Sequence, residues 1–362
     1  MNYDNVIPEY YRFLKEILSS CAIQDYQIIS LLCSPTRKNG FAMKDLHKIR
    51  LTSDRVLIII KDHIITNEYQ NRLNNRQNKA FRYLQDFVSK HKNKKFILVT
   101  EHFNLDKHFN ETNLDFIHLP KFLPFEYTAV EKLNNTNSTS WMCICNCYKI
   151  WRSYLIYYIL GLNLENYGQI FFDSSEYHFF VNRGTFSRYH NYILEKGYDK
   201  FLTSKNNYTL EFKGENIFEN YCNALSPLYK NSYLELVPAT LYSEPTNFIT
   251  EKEIQNIFGK CFPIFISNAF TAETMEQLGF DVFRDVVDHS YDNIEDPDVR
   301  MFRAIDDNLH LLTGQTNLKK LWEENESRFD KNIEVYFSLE QKLFEQAEEK
   351  FEKILKTKWL KI

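Results

Sequence analysis

Short apolar runs recur along this chain and alternate with segments of helical spacing, and this alternation restricts the fold more than any other feature. Gln27 to Cys33, Arg55 to Ile60 and Lys95 to Thr100 read as buried strands, and Tyr10 to Cys21 and Asn75 to His91 as helices. Strands that are apolar throughout and separated by helices belong in a parallel sheet covered by helices, an α/β fold. The polar run Lys132 to Ser140 breaks the rhythm and reads as a linker. A second α/β series comes next, with strands at Trp141 to Cys147, Gln169 to Asp173, near Tyr233 to Val237, and at Pro263 to Ser267; Ile150 to Leu160 reads as a helix. After about Thr313 the chain is helical and highly charged. Phe337, Leu339, Leu343, Phe344, Ala347, Phe351 and Ile354 there mark helices that pack, crossing back to the first domain. The heptads are too imperfect to favour a coiled coil. The expected organisation is an N-terminal α/β domain over 1–135, a second over 136–313 and a helical segment over 314–362.

Composition narrows the function classes. A chain of 362 residues that is 44% hydrophobic can fill two cores. With 44 Lys plus Arg against 48 Asp plus Glu, the formal charge is −4, so no global basic field draws the protein onto nucleic acid. No apolar run reaches membrane-spanning length, and Met1-Asn2-Tyr3-Asp4 does not open like a signal peptide, so a cytoplasmic location is expected. Cys143, Cys145 and Cys147 lie at strand spacing on one face and lack the pairing of a zinc site; buried, reduced thiols are expected, and no metal. Nine glycines leave no Gly-x-Gly-x-x-Gly and no P-loop, so a bound diphosphate would have to be held by helix ends and cationic side chains. Richness in Asn, Lys, Ile, Tyr and Phe suggests an AT-rich genome, as in many phages and some bacteria.

Three segments carry candidate chemistry. In the first, Thr250 is a plausible helix N-cap that puts Glu251 and Lys252 in the first turn, where free N–H groups, the helix dipole and an ammonium together favour a phosphate. The same pattern can also be only a good cap. In the second, Asn146 ends a strand and Arg152 comes in the first helical turns, placing an amide and a guanidinium at the carboxyl edge of a parallel sheet, where ligands bind. Arg suits a diphosphate because its planar fork grips two oxygens and stays charged. In the third, the strand ending at Thr100 runs into Glu101, a carboxylate that could transfer a proton or serve only structure. Asp62 with His63, His102 and His108 are alternatives. The acidic stretch from Asp281 to Asp292 reads as a structural loop and helix cap in preference to a metal site.

The order of these segments resembles the alpha-1,3-fucosyltransferase family of glycosyltransferases, most closely its phage-encoded relatives. Phe248-Ile249-Thr250-Glu251-Lys252, with Gly259 and Phe262-Pro263-Ile264, matches the family's donor-binding signature; Asn146, Arg152 and Gly168 match an upstream block, with Cys145 where Ser is usual. Leu278-Gly279-Phe280, Asp288, Ser290-Tyr291-Asp292 and Asp296-Pro297 resemble the stretch C-terminal to the signature in phage-encoded relatives. The chain departs from the pattern at His102-Phe103, where Ser-Pro is usual, and at Pro238-Ala239-Thr240, where Glu-Asn-Ser is usual. The likeness covers roughly Lys95 to Asp296. It implies a GT-B architecture, two Rossmann-like domains facing a cleft, and inverting, metal-independent transfer from a nucleotide-diphosphate sugar without a further cofactor. It implies donor contacts from Asn146, Arg152, Thr250, Glu251 and Lys252, and Glu101 as catalytic base. The acceptor is either modified DNA, a hydroxymethylated pyrimidine faced by Arg37, Lys38, Lys92, Lys94 and Lys95, or a glycan or small molecule. A non-catalytic nucleotide-sugar-binding protein is the remaining class.

Overall fold

Runs of Val, Ile, Leu and Phe set the strands of both sheets. The computed structural model describes residues 25–32, 41–60, 79–100, 103, 105–118, 127–133, 139–145, 149–172, 186–204, 225–239, 242–243, 247 and 249–359. The chain divides into two compact units, Met1–Leu123 with Ser338–Ile362, and Pro124–Phe337.

The first unit is built on β1 (Gln27–Leu32), β2 (Phe41–Ala42), β3 (Arg55–Ile60), β4 (Lys95–Thr100) and β5 (Leu114–His118), in the order β2-β1-β3-β4-β5 with every pair parallel. Alternate residues feed opposite faces. Ile29, Val56, Ile58, Phe96 and Leu98 pack with Leu84, Phe87 and Val88 of helix α1 (Lys79–Lys90). Leu57, Ile59, Ile97, Val99 and Ile117 pack with Ala347, Phe351, Ile354 and Leu355 from the helical C-terminus. Both faces are therefore covered, and each such side chain contributes about 1.5–3 kcal/mol by leaving water.

The second unit is built on β6 (Thr139–Cys145), β7 (Gly168–Phe172), β8 (Ser232–Pro238) and β9 (Phe262–Ile266), all parallel in the order β7-β6-β8-β9. Helix α2 (Ile150–Gly161) joins β6 to β7; it is apolar all round and buried from Trp151 to Gly161, as a helix without a polar face must be. Helix α3 (Arg188–Ser204) crosses it at glycine contacts: a Cβ on Gly197 would lie 1.7 Å from the Tyr157 carbonyl oxygen, and one on Gly161 would lie 2.0 Å from that of Ile193. Helix α4 (Ser226–Asn231) leads into β8, and α5 (Glu251–Gly259) joins β8 to β9. Beyond β9 come α6 (Thr271–Gln277), α7 (Pro297–Asp306), α8 (Leu309–Leu312) and the 37-residue α9 (Leu318–Ile354).

The mixed α/β class with two parallel sheets is as expected from the sequence, and β3 and β4 have the expected ends. The expected helix Tyr10 to Cys21 lies outside the described residues. Several elements were not foreseen, among them β2, β5 and α3. β2 is only two residues long, β5 has its apolar pattern broken by Asp115, which pairs with Lys358 at 2.6 Å, and α3 lies in a stretch read as an insertion. Lys132 does not behave as linker. Its ammonium donates to the carbonyls of Tyr229 and Gly259 at 2.7 Å and of Ser232, and lies 3.3 Å from Cys261 Sγ. A cation there satisfies carbonyls left over at the ends of α4 and α5. Thr139 and Ser140 belong to β6. Cys143, Cys145 and Cys261 are buried free thiols, the first two with sulfurs 3.9 Å apart; Cys147 is outside the described residues. Among the described residues no helix is long and apolar enough to cross a membrane.

Candidate functional site

In the second unit the chain runs from β6 to its neighbour β7 on one side, whereas β8 lies on the other side of β6. The connections therefore diverge at the carboxyl ends of β6 and β8, leaving the crevice where open parallel sheets bind ligands. Arg152, in the first turn of α2 after β6, reaches this edge. It is fully buried, and its Nη2 donates to the carbonyls of Pro238 and Ala239 at the end of β8, each at 2.7 Å. Its guanidinium lies 5.2 Å from the centre of the Trp151 ring, within cation–π range, and Trp151 stacks on Tyr242 at 4.5 Å. The two carbonyls are satisfied by a charge that is itself held in place.

Thr250-Glu251-Lys252 opens α5, which starts from the same edge. Thr250 is the N-cap: its hydroxyl accepts from Lys252 N at 3.3 Å and donates to Glu253 Oε2 at 2.7 Å, while its backbone N–H donates to the same oxygen at 2.8 Å. This is a capping box, and it explains Glu253, whose part in the helix start the Thr-Glu-Lys pattern does not reveal. Burial pushes the Glu253 carboxyl up, only partly offset by the Thr250 hydrogen bonds. Lys252 Nζ donates to Glu251 Oε1 at 2.6 Å. Burial alone would raise the Glu251 carboxyl, but the Lys252 ammonium, its hydrogen bond and the more distant Arg152 charge together hold it below its ordinary value. Arg152 and Lys252 also both act on the Cys145 thiol at the end of β6, where with the Cys143 hydrogen bond they outweigh burial and lower it. Arg152, Glu251 and Lys252 thus share one electrostatic neighbourhood.

Glu235, in the middle of β8, is a further buried acid. Tyr229 Oη donates to both its oxygens at 3.1 Å and Asn256 Nδ2 to one at 2.9 Å, yet burial prevails and pushes the carboxyl up to about 8. A second buried guanidinium, Arg300 of α7, was also missed in the sequence. It donates to Ser267 O at 2.9 Å, to Tyr242 O at 2.7 Å and to Ile294 O, tying together loops at the carboxyl edge. The Asp296-Pro297 helix start just upstream was its only sequence cue; Asp296 accepts from Asp298 N and Val299 N at 3.0 Å.

Glu101 and Asn146 lie outside the described residues, as do Asp62, His63 and His102. The acidic stretch after α6 caps local structure: Asp292 accepts from Glu273 N at 3.1 Å and Asp288 from Ser290 N at 2.8 Å. His289 bonds Val282 O and Tyr291 Oη, and burial brings its imidazole down to about 4. Among the described residues no group of three His, Cys, Asp or Glu side chains could hold a metal ion.

Fold and site together define a parallel α/β protein in which the carboxyl edge of the second sheet carries a buried guanidinium, a lysine–glutamate pair and a capped helix start. Comparison of the chain with protein-family models, curated proteins and solved structures finds no match.

Proposed function

We propose that this protein is an inverting, metal-independent glycosyltransferase of the GT-B architecture, whose second unit holds a nucleotide-diphosphate sugar. One observation carries the reading: Arg152 and Thr250-Glu251-Lys252, far apart in sequence and both parts of the fucosyltransferase-like pattern, converge on the carboxyl edge of one parallel sheet. Lys252 and the N-terminus of α5 face the diphosphate; Arg152, buried with its charge fixed by backbone carbonyls, contributes its field without reorganising when negative charge develops on the leaving group. Glu251 takes hydroxyls of the ribose or sugar. Glu101, directly after β4, is assigned as the base that removes the acceptor hydroxyl's proton while that oxygen attacks the anomeric carbon from the face opposite the diphosphate.

For the acceptor, the formal charge of −4 favours a glycan or small molecule over duplex DNA. Of the first-unit cations considered for a DNA-facing patch, Lys94 is paired with Asp54 at 2.6 Å, Lys95 donates to Lys358 O at 2.6 Å and Lys92 is exposed, while Arg37 and Lys38 lie outside the described residues. Salt-sensitive binding of hydroxymethylated duplex would reverse this preference.

The test is a panel of nucleotide sugars offered to the purified protein, scored by thermal shift and by transfer. A ligand of the native state raises its melting temperature. Lys252→Ala should lower donor turnover by an amount on the order of several kcal/mol of transition-state stabilisation, and Arg152→Lys should do so with a smaller loss of stability than truncation. Near-normal transfer by Lys252→Ala would remove that residue from the site. The complete burial of Arg152 also suits a second reading, a nucleotide-sugar-binding protein without catalysis. A shift by donors with neither hydrolysis nor transfer would select it.

A further inference from the structure

We infer that Phe270 is the platform on which the donor's nucleobase stacks; this rests on the nucleotide-sugar reading above. Phe270 follows β9 at the carboxyl edge, and the residue is 40% exposed. Its backbone is left-handed, φ 63° and ψ 24°, a region that a bulky aromatic residue avoids. Buried hydrogen bonds hold it there. Phe270 N donates to Asp292 O at 2.7 Å, and Phe270 O accepts from Asn247 Nδ2 and from Thr274 Oγ1, each at 2.7 Å. Asn247 is itself buried and also donates to Thr274 Oγ1 at 2.7 Å; Thr271 Oγ1 donates to Asn268 O at 3.0 Å and contacts Ser267 Oγ. Several buried polar groups therefore fix the backbone that carries this exposed ring, which stacks on no other ring among the described residues. A backbone outlier that its surroundings over-determine is the kind of strain that persists at ligand sites.

The ring's location gives it a ligand class. Asn247 lies in the segment that leads into Thr250-Glu251-Lys252, so the Phe270 carbonyl is bonded to the wall that carries the proposed diphosphate contacts. On the other side, Ala239 N donates to Ile266 O at 3.1 Å, and the Ala239 carbonyl is the one that Arg152 holds. An exposed aromatic ring on the sheet edge that also carries Arg152 and Lys252 matches a nucleoside diphosphate, whose flat base and charged tail need different surfaces. Helix α6, which Phe270 precedes, is too short to be the binding element; the ring is.

The experiment is calorimetric titration of the full chain with inorganic pyrophosphate, UDP and GDP, comparing wild type with Phe270→Asn and Phe270→Trp. Asn tolerates the left-handed region and lacks the ring; Trp keeps a ring. Wild type should bind at least one nucleoside diphosphate more tightly than pyrophosphate. Phe270→Asn should weaken that nucleotide about ten-fold, leave pyrophosphate affinity unchanged and not lower the melting temperature, whereas Phe270→Trp should retain nucleotide binding. A Phe270→Asn protein that keeps the full preference for nucleotide over pyrophosphate overturns the inference. So does one whose melting temperature falls together with both affinities, which would make the ring a packing element. Wild type that binds pyrophosphate alone overturns Phe270's role and leaves the diphosphate site standing; wild type that binds none of the three overturns both.

Discussion

Replacing Glu235 by Gln should change how stability responds to pH. The carboxyl is buried in β8 and pushed up to about 8 from an ordinary 4.5, with Asn256 and Tyr229 hydrogen bonds offsetting only part of the burial, Glu253 adding to the rise and Lys252 opposing it. Because the folded pKa is the higher one, the folded protein holds a proton that the unfolded chain has released over the whole window from 4.5 to about 8. Stability therefore falls as pH rises through that window and levels off above about 8. At 1.36 kcal/mol per pKa unit the full window is worth at most about 5 kcal/mol, and the part below pH 7 about 3 kcal/mol. Gln keeps one acceptor for Tyr229 or Asn256 and cannot ionise. The variant should match wild type within about 1 kcal/mol near pH 5 and exceed it by a few kcal/mol at pH 8. Urea unfolding at pH 5, 6, 7 and 8, followed by tryptophan fluorescence, reads this out, since Trp141, Trp151 and Trp322 all lie in the second unit. Asp292, raised to about 6, and Glu253, also raised, titrate in the same direction but are common to both proteins, so the difference isolates Glu235. Stability curves that run parallel across the pH range would refute the reasoning.

Two further outcomes test the packing. Thr250→Ala removes the side chain that both accepts from Lys252 N and donates to Glu253, and should cost about 1–2 kcal/mol in urea unfolding. Gly197→Ala would force a Cβ to within 1.7 Å of the Tyr157 carbonyl and should cost about 1–3 kcal/mol or more, whereas an unchanged unfolding midpoint would mean the two helices are not in contact at this point.

Burial decided how much of the fold was legible in the sequence. β3 and β4 are covered on both faces, so they appear as uninterrupted apolar runs with clear ends, whereas Asp115 interrupts the apolar run of β5, which the sequence did not mark. Lys132 looked like solvated linker because a cation in a polar run usually is; nothing local records that Tyr229, Ser232 and Gly259 carbonyls meet it from distant parts of the chain. At the site, Thr250 was legible as a cap because capping is local. The partners of Arg152 were not, because Pro238 and Ala239 reach it only through strand order. Phe270 left no trace at all: a left-handed residue is normally announced by Gly or Asn, and neither stands there.

The glycine contact between α2 and α3 reaches further than its own cost in stability. α2 is a rod of 12 residues, roughly 18 Å long, with Arg152 near one end and Gly161 at the other. Since α2 has no exposed face on which to slide, its seat against α3 fixes the angle at which the guanidinium meets the sheet edge. A tilt of only about 4° at the glycine end would swing the other end by roughly 1 Å, which under the proposed function costs on the order of a hundred-fold in rate. Gly161 and Gly197 are in this sense an aiming device for Arg152, and under the proposed function a methyl group added there registers as lost transfer, remote from the groups that hold the donor.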